Sequence, residues 1–273
     1  MQNTNAYEQQ LMQLNSDKNR LKNIQSKQNK VELKRQLLPN YKPYLHGILE
    51  VKPGVQDAVV TEMLVWSIDV GEYDFALDLA EYVLEHGLKL PDRFERSEAC
   101  FITEDIADEF LKVLKTDVSI DITVLERLES LITDESLDKS KRDMPDEVKA
   151  KLYLALGKAE MRLITGENEQ DVHHAINAKN YLESAVNLDD KCGGRTDLNK
   201  MTKLVQKINP MTTQNLAKAL STTDLHEQPT ENNPIEILNP EGTTEQPEAT
   251  NVLLNQNGTP VVDDHGSMVP ASE

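Results

Sequence analysis

Two glycines sixteen positions apart, Gly71 and Gly87, punctuate an otherwise unbroken run of helix-forming residues between Asp57 and Pro91. That punctuation leaves little alternative to two helices packed as an antiparallel hairpin. Before Gly71, Val60, Met63, Leu64 and Ser67 recur at helical spacing; after it, Ala76, Leu79, Ala80, Val83 and Leu84 do the same. Glycine stops a helix readily because it enters the left-handed region without a Cβ clash, and Pro91 prevents the second helix from resuming. Ala76 and Ala80, one turn apart, let the two backbones approach closely. Such a hairpin has more apolar face than it can bury alone, so further helices must cover it. The expected fold is an all-α helical bundle grown around this hairpin.

Composition narrows the rest. Aromatic residues make up only 4% of the 273, so the core must be built from Leu, Val, Ala and Ile. The hydrophobic share of 38% is low for a compact chain and points to a polar segment diluting the average. The formal charge of −18 alone would argue against a nucleic-acid partner, but it is unevenly spread. From Lys18 to Arg35, seven basic residues (Lys18, Arg20, Lys22, Lys27, Lys30, Lys34 and Arg35) face Glu32 alone, a net of +6. From Ser221 onward there are ten acidic residues and no Lys or Arg, a net of −10. This polarity is the pattern of an interaction arm and a solvated tail. Cys100 and Cys192 form no paired framework, no run reaches bilayer length, and the N-terminus lacks a signal pattern, so a cytosolic protein with no membrane association is expected.

Three regions follow. Residues 1–40 read as a basic helical arm: Tyr7 to Leu38 contain no Gly or Pro, which predicts one long helix with a sparse seam of Leu14, Leu21, Ile24, Val31 and Leu38. Pro39 and Pro43 break it, and Tyr41, Tyr44 and Leu45 are expected to pin the elbow to the body. Residues 41–210 read as the helical core. Thr103 is the expected N-cap of one helix and Asp121 opens another. Pro145 opens a helix with Val148, Leu152, Ala155, Leu156, Ala159 and Leu163 as its stripe. A further helix carries Ala175, Ala178, Leu182 and Ala185. A last one carries Leu198, Met201, Leu204, Val205 and Ile208, closed by Asn209 and Pro210. Two stretches, Gly71–Gly87 and Ile176–Asp190, place small and apolar residues as the second helix of a tetratricopeptide hairpin does. Residues 211–273 are rich in Thr, Asn, Gln, Pro and Glu and are expected to be a disordered acidic tail, interrupted by short apolar islands such as Val252–Leu254.

The basic arm is the most informative candidate site. Spaced Lys and Arg neutralise backbone phosphates without reading sequence, while Asn19, Asn23 and Gln28 between them are able to donate to phosphates or bases. The plainer alternative is a solvated helix. His173 and His174 point to different sides of a helix and have no further ligand at metal spacing, and His46 and His86 read as structural. Asp146, Glu147 and Lys149 imitate part of a metal-dependent nuclease motif, yet they open a helix, where acids have an ordinary dipole explanation. Gly193-Gly194-Arg195 lacks the Lys-Ser/Thr of a phosphate loop. No catalytic and no metal-binding residues are assigned.

The blocks KRQLLPNYKPYLHGILE, the hairpin through HGLKLP, FITEDIADEFL and DMPDEVKAKL occur in that order. Together they resemble the small terminase subunit of Peduovirus-type tailed phages, a family often named the terminase endonuclease subunit. The resemblance spans roughly Tyr7 to Ile208. It implies a homo-oligomeric protein of the host cytoplasm that binds double-stranded phage DNA at the cohesive-end (cos) site. It also implies recruitment of the terminase large subunit, an ATPase, for endonucleolytic cutting and packaging into the procapsid. The magnesium and ATP it implies belong to the large subunit, with no cofactor in this chain. It supports the arm as the DNA contact and transfers no catalytic residues. Family tails are Lys/Arg-rich, whereas this one has no Lys or Arg after Lys218. Two alternatives stand beside it: an intrinsic metal-dependent DNA endonuclease, and a tetratricopeptide-like protein adaptor.

Overall fold

The computed structural model describes residues 5–91, 96–166 and 170–207, and all regular structure in them is helical. In chain order come α1 (Ala6–Lys22), α2 (Lys27–Leu37), a 3-10 turn (Leu38–Asn40), α3 (Lys42–Val51) and α4 (Ala58–Val70). Next are α5 (Tyr73–His86), α6 (Glu98–Val113), α7 (Thr123–Thr133), a second 3-10 turn (Lys139–Lys141), α8 (Asp146–Leu163) and α9 (Gln170–Leu188). The helix at 195–207 is α10. This is the all-α bundle that the periodicity predicts. The expected tail from residue 211 and the closing residues Ile208, Asn209 and Pro210 lie outside the described residues.

The hairpin α4–α5 sits at the centre. Gly71 closes α4 at φ 80°, its N–H donating to the carbonyls of Ile68 and Ser67, and Gly87 closes α5 at φ 68°. Asp57 opens α4 by accepting from the N–H groups of Val59 (2.8 Å) and Val60 (3.1 Å), and its other oxygen accepts from the Tyr44 hydroxyl. Eleven of the thirteen residues of α4 are buried, so this helix is covered on every side and not along one stripe. The cover comes from α1, α2, the first 3-10 turn, α5 and α6. Eight of those side chains are apolar. At about 1.5–3 kcal/mol each, their burial is comparable to the whole net stability of a domain, about 5–15 kcal/mol.

The expected single arm helix is two. Asn23 caps α1, its N–H donating to Arg20 and Leu21, and Ser26 begins α2 by accepting from the Asn29 N–H at 3.3 Å. The reason is burial. A straight helix from 7 to 38 would run ~48 Å and carry half its seam past the body. The break lets Leu14 and Leu21 of α1, and Leu37 and Leu38 at the end of α2, all sink into the core. Tyr41 and Leu45 are fully buried and pin the elbow as expected.

Thr103 is not a cap. Ser97 opens α6, accepting from the Cys100 N–H at 3.3 Å, and Thr103 lies buried in mid-helix. The apolar run Ala99, Cys100, Phe101 and Ile102 needs helical backbone to reach the core, which moves the start upstream.

The second hairpin, α8–α9, is antiparallel: Tyr153 stacks on Tyr181, Gly157 lies against Ala178 and Leu182, and Glu160 meets His174 and Asn177. The expected stripe of α8 is buried except Leu163, which is 38% exposed. On α10, Met201 is buried and Leu198 and Leu204 are partly buried, packed with Leu154, Ala178 and Leu182 as a second apolar cluster.

Candidate nucleic-acid interface

The fold divides the seven basic residues of the arm into two groups. Four are held by carboxylates of the protein. Lys18 reaches the buried Glu62 of α4 at 3.1 Å, and Glu62 also accepts from the Trp66 indole N–H at 3.0 Å. Arg20 pairs with the buried Asp17 at 2.9 Å, which also takes the Tyr41 hydroxyl at 2.8 Å. Lys34 pairs with Asp69 at the end of α4, its ammonium 5.7 Å from the centre of the Trp66 ring. Arg35 pairs with Glu32 at 2.8 Å and donates to the Val70 carbonyl at 3.2 Å. Lys18, Lys34 and Arg35 tie the arm to α4, while Arg20 holds the Asp17 that binds the Tyr41 elbow.

Lys22, Lys27 and Lys30 are the second group. They form no ion pair with any described residue. Lys22 is the last residue of α1 and Lys27 the first of α2, with only residues 23–26 between them; Lys30 follows one turn later. Lys22 at a helix C-terminus has a dipole explanation. Lys27 has the opposite: the first turn of α2 holds no acid, and its positive end disfavours a cation. A lysine there weakens the isolated helix, while a phosphate brought to that corner would be favoured by both the ammonium and the free N–H groups.

Behind the corner lies a cleft of about 710 Å³. Lys27, Lys30 and Lys34 line one wall, and Asp105, Asp108 and Glu109 of α6 line the other with Lys112. Burial pushes the Asp105 carboxyl above its usual range, and the acids around it add to the effect. With Asp69, the lining sets four acids against four lysines, so the cleft is of mixed charge. Sequence reading missed this acidic wall, and it missed Glu62 and Asp69 as partners 44 and 35 residues from their lysines.

The remaining candidates fall out plainly. His173 is exposed, and His174 on the adjacent face has Nδ1 2.6 Å from the buried Glu160. His46 lies against Phe75, and His86 against Tyr82. Asp146 and Glu147 are exposed in the first turn of α8. Among the described residues, no group of three or more His, Cys, Asp or Glu is placed to hold a metal ion, and no helix is long and apolar enough to cross a membrane.

Comparison with known proteins gives two matches. Residues 11–147, which include the whole basic arm from Lys18, match the family model of the phage small terminase subunit. Over 204 residues the chain is 32% identical to a protein of Escherichia phage P2 named the terminase endonuclease subunit, covering 74% of this chain and 76% of that one. No solved structure matches the fold.

Proposed function

Because the chain belongs to the phage small terminase subunit family, a family of phage DNA packaging, we propose that it grips duplex phage DNA at the cohesive-end site and brings it to the large ATPase subunit. The observation that carries this reading is the cluster of Lys22, Lys27 and Lys30, which pair with no described carboxylate and lie where α1 ends and α2 begins. Lys18, Lys34 and Arg35 serve the same contact indirectly, by locking both helices to α4, and Arg20 does so by holding the Asp17 that fixes α1 to Tyr41. Contacts of this kind set affinity and register along the duplex; they do not by themselves select a sequence. Recruitment of the large subunit, self-association, and the supply of magnesium and ATP by the large subunit belong to the same reading. Sedimentation of the purified chain measures the self-association.

The test is the salt dependence of DNA binding by full-length protein. Lys22→Gln, Lys27→Gln and Lys30→Gln together should flatten the slope of log K against log salt by about 2–3, since each lost phosphate contact removes about 0.9. Lys34 is left intact because its loss would also strand Asp69. An unchanged slope would refute the assignment.

One observation favours a second reading, in which this chain itself cuts DNA: the phage P2 relative carries endonuclease in its name. Asp146 and Glu147, exposed in a first turn, already have a dipole role there. Magnesium-dependent nicking by the isolated chain, abolished by Glu147→Ala and Lys149→Ala, would establish that reading.

A further inference from the structure

α10 carries a second cationic face, and it is more completely uncompensated than the arm. Lys200, Lys203 and Lys207 follow the spacing i, i+3, i+7, which aligns them along one side of the helix over roughly 10 Å of its axis. All three are exposed, and Arg195 at the start of the helix is exposed too. The acid of this helix, Asp197, pairs with Lys158 of α8. No described carboxylate forms an ion pair with Arg195, Lys200, Lys203 or Lys207. The opposite side is fixed by Met201, Leu198 and Leu204 against Leu154 and Leu182, so the lysines are presented on an anchored helix.

Lys203 and Lys207, toward the C-terminal end of the described helix, have a dipole explanation, whereas Arg195 at its start and Lys200 in its middle have none. Surface lysines that stabilise a helix usually sit one turn from an acid; the acid of this helix, Asp197, lies one turn before Lys200 but is engaged by Lys158. The chain is strongly acidic as a whole, at −18. A 13-residue helix with four cations against one paired acid therefore stands against the prevailing charge. The charge, the spacing and the neighbouring exposed Asn199 and Gln206 suit a regular polyanion that accepts both ion pairs and hydrogen bonds.

We propose that the exposed face of α10 is a second contact for the phosphate backbone of duplex DNA, separate from the α1–α2 corner. This rests on the DNA-binding reading above. With two faces, the protein holds a duplex at two points along the chain's own surface, and the total salt slope exceeds what the three corner lysines supply.

The experiment measures binding of full-length protein to duplex DNA across a salt series. It compares wild type, the corner triple variant, Lys200→Gln with Lys203→Gln and Lys207→Gln, and the same three positions changed to Arg. The α10 Gln variant should lose about 2–3 from the slope, and the Arg variant should keep it. A wild-type slope in the Gln variant, with the corner variant reduced, overturns the α10 contact and leaves the DNA-binding function standing. A reduced slope in both the Gln and the Arg variants assigns the effect to packing and also overturns it. An unchanged slope with lost self-association in sedimentation would make the face a protein contact instead. Wild type that shows no salt-dependent DNA binding defeats the underlying function, and this inference with it.

Discussion

Asp105 works against the fold at neutral pH. Burial between α2 and α6 pushes its carboxyl above the usual range; Arg96 opposes the shift, and Asp69, Asp108 and Glu109 add to it. Between the unfolded value of about 3.9 and the raised folded one, the native state holds more protons than the unfolded chain. Stability therefore falls as pH rises through that window, and the penalty is complete above it. Asp105→Asn should raise the urea midpoint at pH 7, and the gain should shrink on acidification and vanish below about pH 3.9. A gain that persists unchanged at low pH would place the cause elsewhere. Asp17 is the contrasting case, a buried acid that is fully used. Asp17→Ala strands the Tyr41 hydroxyl, which burial, and then its bond to Asp17, pushes well above the ordinary tyrosine range. That substitution should cost about 1–3 kcal/mol in chemical denaturation, and Tyr41→Phe, which leaves Asp17 with Arg20, about 0.5–1.5 kcal/mol. In the sequence, Asp17 looks like a blemish in a leucine seam. Its meaning depends on a tyrosine 24 residues away, and no local pattern carries that.

Elements whose ends are written in residue chemistry were legible; those whose ends are set by packing were not. The α4–α5 hairpin could be placed because Gly71 and Gly87 both take left-handed backbone, which few other residues adopt cheaply. The break between α1 and α2 has no Gly or Pro. Ser26 was its one local signal, and only the bulk of α4 beneath explains why the chain turns there. The α10 lysines went unnoticed for a related reason, since their helix was read for its apolar side alone. Gly157 is the element-scale position most open to test. A Cβ there would lie 2.7 Å from Leu182 Cγ and 3.3 Å from the Ala178 carbonyl, so α8 and α9 touch through it. Alanine normally gains about 0.5–1 kcal/mol over glycine inside a helix, while overpacking costs typically about 1–3 kcal/mol. The clash should win: Gly157→Ala is expected to lower the thermal midpoint by a few degrees. A rise would mean the two helices spread freely, and the close approach would lose its structural role.

At the scale of the whole molecule, a protein of charge −18 can hold a polyanion only if its cations are concentrated and its acids kept at a distance. At 0.1 M salt, charges more than about 10 Å apart are largely screened, so the corner lysines act almost independently of acids on the far side of the bundle. The ten acids after Ser221 differ, because they belong to the same polypeptide and so are present at a fixed ratio to the basic residues. On the DNA-binding reading proposed above, their charge is expected to compete with DNA for the basic residues, and that competition is itself screened by salt. Replacing those ten acids by Asn and Gln, with chain length unchanged, should therefore tighten DNA binding several-fold near 50 mM salt. The two affinities should converge as salt rises, while removal of the corner lysines in the same background should abolish most of the gain. The measurement is a pair of salt titrations on full-length proteins. Equal affinities at low salt would show that the tail neither shields nor competes, and the charge polarity of the chain would then need a partner other than DNA to explain it.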